Sequence, residues 1–201
     1  MTFSEQFITC LLMVFQGYIR SLIDMPISKV QEIQAFFESG HLEKGELLLS
    51  PGQISRKSYF LEEGIIRAYI IDVGGNEVTT RIYTSPVLLN DYLSFFKKEP
   101  SREYFQAVTV CHVQTIDFES LQTCFHTIPE FREAGRMMLT LNYATLQDQM
   151  ISFHTMTAEE RYQKLLADRP EVIQKVPLKI IASYLGMKDS SLSRIRKTLS
   201  K

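Results

Sequence analysis

Cysteine is scarce in this chain: three among 201 residues, Cys10, Cys111 and Cys124, far apart and with no CxxC pair. Too few sulfurs are available to hold an iron–sulfur cluster. Each thiol sits beside apolar neighbours such as Leu11, Val110 and Phe125, so buried free thiols in a reducing cytoplasm are expected. The four histidines, His41, His112, His126 and His154, show no metal-ligand spacing, and neither a GxSxG elbow nor a phosphate loop occurs. Asp117 and Glu119 read as a solvated turn rather than an acid–base pair. Catalysis, a bound metal and a resident cofactor are therefore not expected. No apolar run is long enough to cross a bilayer: Phe7 to Phe15 is short, has no positive segment before it, and is followed by Gln16, Tyr18 and Arg20 rather than a cleavage site. It reads as an amphipathic helix docked on the rest of the protein, with no membrane partner.

What is present is ordinary for one or two globular domains: 45% hydrophobic residues, 22% charged and a net charge of -1. A helix is expected over Ser28 to Phe37. From His41 to Phe118 short alternating runs (GELLLS, SYFLEE, IIRAYIID, EVTTRIY, FQAVTVCHVQTID) are punctuated by Gly and Pro, the pattern of an antiparallel barrel or sandwich. Val73-Gly74-Gly75-Asn76 is a hairpin turn within it. At Pro129 the period switches to helical and runs without interruption to Met156. Its apolar stripe runs through Phe131, Met138, Leu141, Tyr143, Leu146, Met150 and Phe153, and a dimer seam is expected along it at Met138, Leu141, Leu146, Met150 and Phe153. Packing on the chain's own barrel is the alternative use for such a stripe. Thr157 to Glu160 is a capping box, opening a helix that ends before Pro170.

The segment Leu178 to Lys197, LKIIASYLGMKDSSLSRIRK, has the residue economy of a helix-turn-helix. Ala182 is small where two helices must touch, Gly186 suits the turn, and Ile181, Leu185, Met187, Leu192 and Ile195 bury one face. The opposite face of the second helix carries Lys188, Asp189, Ser190, Ser191, Ser193, Arg194 and Lys197, which are the candidate DNA contacts. From Lys175 onward seven cations, Lys201 among them, face the single acid Asp189, the footprint expected of phosphate contacts. A plain αα-hairpin would not need that charge.

Together the segments EKGELLLSPGQ, YFLEEGIIRAYIIDVGGNEVTT, AVTVCHVQTID and IASYLGMKDSSLSRIRK resemble the Crp/Fnr family of bacterial transcription regulators, over nearly the whole chain from about Gly40. The resemblance implies an α+β protein: an N-terminal cyclic-nucleotide-binding-like β jelly roll over residues 1–128, a long central dimerisation helix over 129–156, and a C-terminal winged helix-turn-helix over 157–201. It also implies a cytoplasmic homodimer whose partners are double-stranded DNA and RNA polymerase. Asp189, Ser190 and Arg194 stand where the family reads bases. Arg194 is of the usual type and can bond guanine O6 and N7 or clamp a phosphate. Asp189 departs from it, and is either a helix N-cap, the preferred role, or a contact to cytosine N4.

Members that bind cyclic AMP hold it with a Gly-Glu pair and a following Arg-Ser. Here Asn90 and Asp91 occupy the first places, Ser101 the Arg place, and Arg102 lies one step beyond, pointing to the other face of an extended segment. A response to cyclic AMP is not expected. Arg67, Arg81, Tyr83, Asn90, Asp91, Tyr92, Ser101, Arg102 and Tyr104 form the candidate pocket for some other small effector, whose identity the sequence leaves open. The rival to a DNA reader is a cyclic-nucleotide-binding-like signalling or scaffold module acting through protein partners, and it would not call for a basic second helix.

Overall fold

The structure, a computed structural model, describes residues 3–199, with side chains from Met13 onward. The Cys10 thiol, the side chains of residues 7–12 in the apolar run, and Lys201 lie outside what the structure describes. The chain begins with α1 (Phe3–Leu22) and α2 (Ile27–Gln34). The strands that follow are β1 (Glu38–Leu42), β2 (Leu47–Leu49), β3 (Lys57–Glu63), β4 (Ile65–Ile71), β5 (Glu77–Thr84), β6 (Val87–Leu89), β7 (Tyr104–Ala107) and β8 (Cys111–Asp117), with α3 (Tyr92–Lys97) between β6 and β7. They pair antiparallel into two four-stranded sheets, β1-β8-β3-β6 and β2-β7-β4-β5. That interleaved order is an eight-stranded jelly roll. Helices α4 (Phe118–Thr127), α5 (Pro129–Thr155), α6 (Ala158–Asp168), α7 (Pro170–Lys175), α8 (Leu178–Tyr184) and α9 (Asp189–Leu199) complete the described chain.

Local chemistry explains the main boundaries. The Asp72 carboxylate accepts from the N–H groups of Gly74 and Asn76 and closes the β4–β5 hairpin where the glycine pair stands. Pro129 sits at the first turn of α5, where its missing N–H costs nothing. Thr157 and Glu160 complete a reciprocal capping box at the start of α6. A single residue, Gly64, links β3 to β4 at φ +106°, and a Cβ there would lie 2.5 Å from the Val110 carbonyl oxygen and 2.6 Å from the Cys111 sulfur. Only glycine fits that close approach.

Three apolar clusters hold the fold together. One, inside the jelly roll, contains Leu49, Leu61, Ile66, Ala68, Leu89, Phe105 and Val113. The second lies behind the first sheet, where Phe15 and Ile19 of α1 meet Phe60, Phe95, Ile116 and Phe131. The third joins the C-terminal helices to the outer face of the second sheet: Ile65, Ile82 and Val108 pack with Tyr162, Val172, Ile181, Leu185 and Leu192. Cys111 and Cys124 are buried free thiols, and burial pushes the Cys124 pKa up to about 11.

The winged form of the helix-turn-helix expected above is not shown by the described residues. Among the described residues no strand follows β8, and 158–199 is helical between its turns. Pro170 opens α7 between the capping-box helix and the helix-turn-helix, and Val172 and Val176 recur there at helical spacing.

One carboxyl is buried without a cation. Glu62 is 6% exposed and accepts from Gln114 Nε2 at 2.6 Å, and burial raises its pKa to about 7. In the unfolded chain it ionises near the ordinary carboxylate value, so between that value and about 7 the unfolded state releases a proton the native state keeps. Its contribution to stability is therefore intact in acid and lost as the pH rises through 7. Glu62→Gln should remove this loss, raising stability at pH 8 by roughly 1–3 kcal/mol while changing little at pH 4.5. Urea denaturation at the two pH values checks the difference.

Candidate functional site

Helix α8 ends in a Schellman cap: the Met187 N–H donates to the Ala182 carbonyl and the Gly186 N–H to that of Ser183. Gly186 takes φ +66°, and a Cβ there would meet the Phe153 ring at 3.0 Å. Ala182 is fully buried at the crossing, and Leu192 is buried beneath α9. The steep two-helix unit expected from the sequence is thus built around these residues.

Arg161 fixes the unit to the end of α5. Its guanidinium donates to the Met156 carbonyl (2.7 Å) and to that of Leu185 (3.2 and 3.0 Å), and stacks 4.9 Å from the centre of the Phe153 ring. A second attachment reaches the barrel. β5 is an edge strand, and the Ser183 hydroxyl accepts from the Thr79 N–H (2.8 Å) and donates to the Glu77 carbonyl (3.0 Å). Arg169 Nη2 donates to the Ile82 carbonyl at 2.6 Å. α8 therefore satisfies backbone groups an open sheet edge would leave unpaired.

On α9, Ser190, Ser193, Arg194 and Lys197 are exposed and fall within about 100° of one another around the helix axis, opposite Leu192. Lys188 and Asp189 are exposed at its start, while Ser191 is half-buried on the flank. The cap assignment for Asp189 is corrected. Asp189 is already the first helical residue, and the Lys188 carbonyl before it accepts from the N–H groups of Ser191 and Leu192. Since Lys188 holds the cap place, the Asp189 side chain is free on the first turn, where a negative charge suits the helix dipole.

The nine candidate effector residues divide. Arg81, Tyr83 and Tyr92 line one cleft of about 300 Å³ at the barrel mouth, closed on its far side by Asn142, Leu146 and Gln149 of α5 and by Arg169. Asn142 Nδ2 donates to the Tyr92 hydroxyl at 2.9 Å. Arg81 forms an ion pair with Glu103, whose other oxygen accepts from the Thr80 hydroxyl at 2.5 Å. Asp91 caps α3, accepting from the Ser94 N–H at 3.1 Å. Asn90 turns to a different cavity, behind the barrel. Ser101 is buried, with its hydroxyl donating to the Glu103 carbonyl, and Arg102 is exposed. Arg67 and Tyr104 are on the outer face of the second sheet. There Arg67 donates to Gln106, pairs with Glu77 at 2.8 Å and lies over Tyr69, which stacks on Tyr104.

The sequence reading missed Glu103. Its pairing follows from β5 and β7 flanking the same strand, β4, a register that spacing alone does not reveal. It also misphased the stripe on α5. Leu139, Tyr143, Leu146, Met150 and Phe153 alternate at four and three residues, share one face, and are 49%, 70%, 49%, 59% and 49% exposed. Leu141 lies about 140° from Leu146 around the axis, and Met138 lines the cavity behind the barrel.

Residues 40–127 match the family model of the cyclic nucleotide-binding domain. No curated protein matches the chain. Among solved structures, the chain is similar to the c-di-GMP-responsive global regulator CLP of Xanthomonas campestris (15% identity, TM-score 0.68, covering 87% of this chain and 92% of that one). It is also similar to FixK2 of Bradyrhizobium japonicum (18%, 0.66, 82% and 84%) and to a CooA mutant of Carboxydothermus hydrogenoformans (16%, 0.66, 89% and 85%). The chain thus has the fold of Crp/Fnr-type regulators, with a cyclic nucleotide-binding jelly roll and C-terminal helices. Among the described residues no helix is long and apolar enough to cross a membrane.

Proposed function

We propose that the protein is a cytoplasmic, homodimeric DNA-binding transcription regulator of the Crp/Fnr type that does not respond to cyclic AMP. The observation that carries this reading is the free face of α9, where Ser190, Ser193, Arg194 and Lys197 are presented together on a helix held rigidly by its buried side. Such a helix fits the major groove, with Arg194 bonding a guanine edge or a phosphate and Lys197 a phosphate. Among the described residues the reader is two helices, α8 and α9, on an α6–α7 base.

The cleft supports the second half of the proposal. A cyclic phosphate needs an unpaired cation, and the Arg81 guanidinium is already neutralised by Glu103. Asp91, held as the cap of α3, and Arg102, turned to solvent, offer no replacement, and the Arg169 guanidinium in the far wall is engaged by the Ile82 carbonyl and the Thr84 hydroxyl. The cleft suits a neutral or weakly polar effector instead. A ligand there touches barrel, α5 and Arg169 at once, and so can bias how α5 meets its copy and how the two α9 helices are spaced.

Selection of random duplex DNA by wild type and by Arg194→Ala, at two salt concentrations, tests the reading. Wild type should enrich a palindrome with half-sites about 34 Å apart. Arg194→Ala should lose roughly 1–3 kcal/mol per half-site, which is 10- to 100-fold or more in affinity, and remain a dimer. Equal enrichment by both proteins, or salt-sensitive binding without a motif, would count against α9 as the reader.

A further inference from the structure

Behind the barrel lies a second cavity, of about 120 Å³, between α1, the first sheet, α4 and the first half of α5. Its walls are apolar, formed by Ile19, Phe37, Leu88, Phe125, Ala134 and Met138 among others. Three polar residues reach it. The Tyr92 hydroxyl is engaged by Asn142. Ser58, 5% exposed, accepts from Asn90 Nδ2 at 3.3 Å. Asn90 is 6% exposed, and its Oδ1 has no hydrogen-bond partner.

A buried acceptor left unmet is costly, so something is expected to meet it. A single water beside Asn90, Ser58 and Tyr92 would meet the acceptor but leave the rest of this apolar cavity empty. The volume decides what else fits. An apolar cavity of about 150 Å³ admits a benzene ring, so this one is of the size to take a single ring and little more. We propose that it binds a small, neutral, apolar molecule carrying one hydroxyl group, of the size of phenol. The hydroxyl donates to Asn90 Oδ1 and the ring fills the space between Leu88, Phe125 and Ala134. Were the Asn90 amide turned about its axis, the same hydroxyl would accept from Nδ2 instead, so a hydroxyl satisfies either orientation. A charged ligand is excluded, because no ionisable side chain lines the cavity apart from the phenol of Tyr92.

The cavity is separate from the barrel-mouth cleft but shares Leu88 and Tyr92 with it. Its wall includes Met138 and Leu139, and Leu139 begins the exposed stripe of α5. Occupancy thus bears directly on the helix expected to carry the dimer contact. The site stands whether or not the chain reads DNA.

Calorimetric titration of the full chain with phenol and with benzene tests the proposal, using wild type, Asn90→Leu and the cavity-filling Ala134→Leu. Phenol should saturate wild type at one per chain, at least 10-fold more tightly than benzene. Asn90→Leu should bring the two affinities together, and Ala134→Leu should abolish both. Should either variant fail to fold, magnetisation transfer from bound phenol to the Leu88 and Ala134 methyl groups of the wild type decides, because it needs no substitution. Absence of saturable phenol binding, a phenol preference unchanged by Asn90→Leu, or transfer only to residues outside the cavity would overturn the assignment.

Discussion

Tyr143→Asp combined with Met150→Asp is expected to turn the proposed dimer into a monomer. These two residues are the most exposed members of the α5 stripe, at 70% and 59%, so the single chain loses little packing when they change. A row of five apolar side chains at heptad spacing is otherwise left to water. Covering each of these side chains on both protomers is worth about 1–2 kcal/mol, and a carboxylate in the seam adds a desolvation penalty. The double variant should therefore weaken association by at least 10³-fold. Sedimentation equilibrium at micromolar concentration reads the mass directly. Affinity for a palindromic site should fall with it, since each monomer then engages only one half-site. Leu141→Asp is the matched control. Leu141 is equally apolar and 51% exposed but sits on the other side of the helix, so it should leave the mass unchanged. If Leu141→Asp dissociated the dimer and the double variant did not, the seam would follow the phase read from the sequence rather than the one seen in the structure.

Gly64→Ala should produce the largest loss of stability of any single methyl addition in the barrel. At φ +106° a side chain is strained before any contact is considered, by roughly 1–3 kcal/mol. The added Cβ also meets the Val110 carbonyl oxygen at 2.5 Å and the Cys111 Cα at 3.0 Å, which are backbone atoms without a rotamer to escape into. Overpacking of that kind costs a further 1–3 kcal/mol or so. The sum, about 2–6 kcal/mol, is a large part of a typical domain's stability and should lower the melting temperature by roughly 10 °C. Gly17→Ala in α1, with open space around it and no positive φ, should be neutral or slightly stabilising in the same calorimetric scan. Equal effects at the two positions would show that the β3–β4 link is not held against β8.

How much of this was legible in the sequence depends on the range of the interaction involved. Signals within one turn or one strand were readable: the Asp72–Asn76 hairpin, the Thr157 capping box, the Gly186 turn and the change of period at Pro129 all rest on neighbours a few residues apart. The candidate pocket was not readable in the same way. Arg67 and Arg81 look alike along the chain, but they sit on different strands, and β4 pairs with β5 through a bulge between Ala68 and Tyr69. That register sends Arg67 outward to Glu77 and Arg81 to the barrel mouth and Glu103. On α5 the error was one of phase. Loosely helical spacing admitted Met138 and Leu141 and passed over Leu139, although 100° per residue would have separated them. Asp189 failed by a single position, the usual margin at a helix end.

The packing of α8 on β5 bears on whether the reader is an exchangeable part. Ile65, Ile82 and Val108 are 2%, 5% and 5% exposed only because the C-terminal helices cover them. A chimera carrying another regulator's reader would uncover these three side chains and release Thr79 and Glu77 at the edge of β5, creating a sticky sheet edge. A transplant would succeed only if it kept a serine at position 183 and the apolar inner faces of α7 and α8. Recombination at the α5–α6 junction, where the sequence most invites a cut, therefore severs a single folding unit.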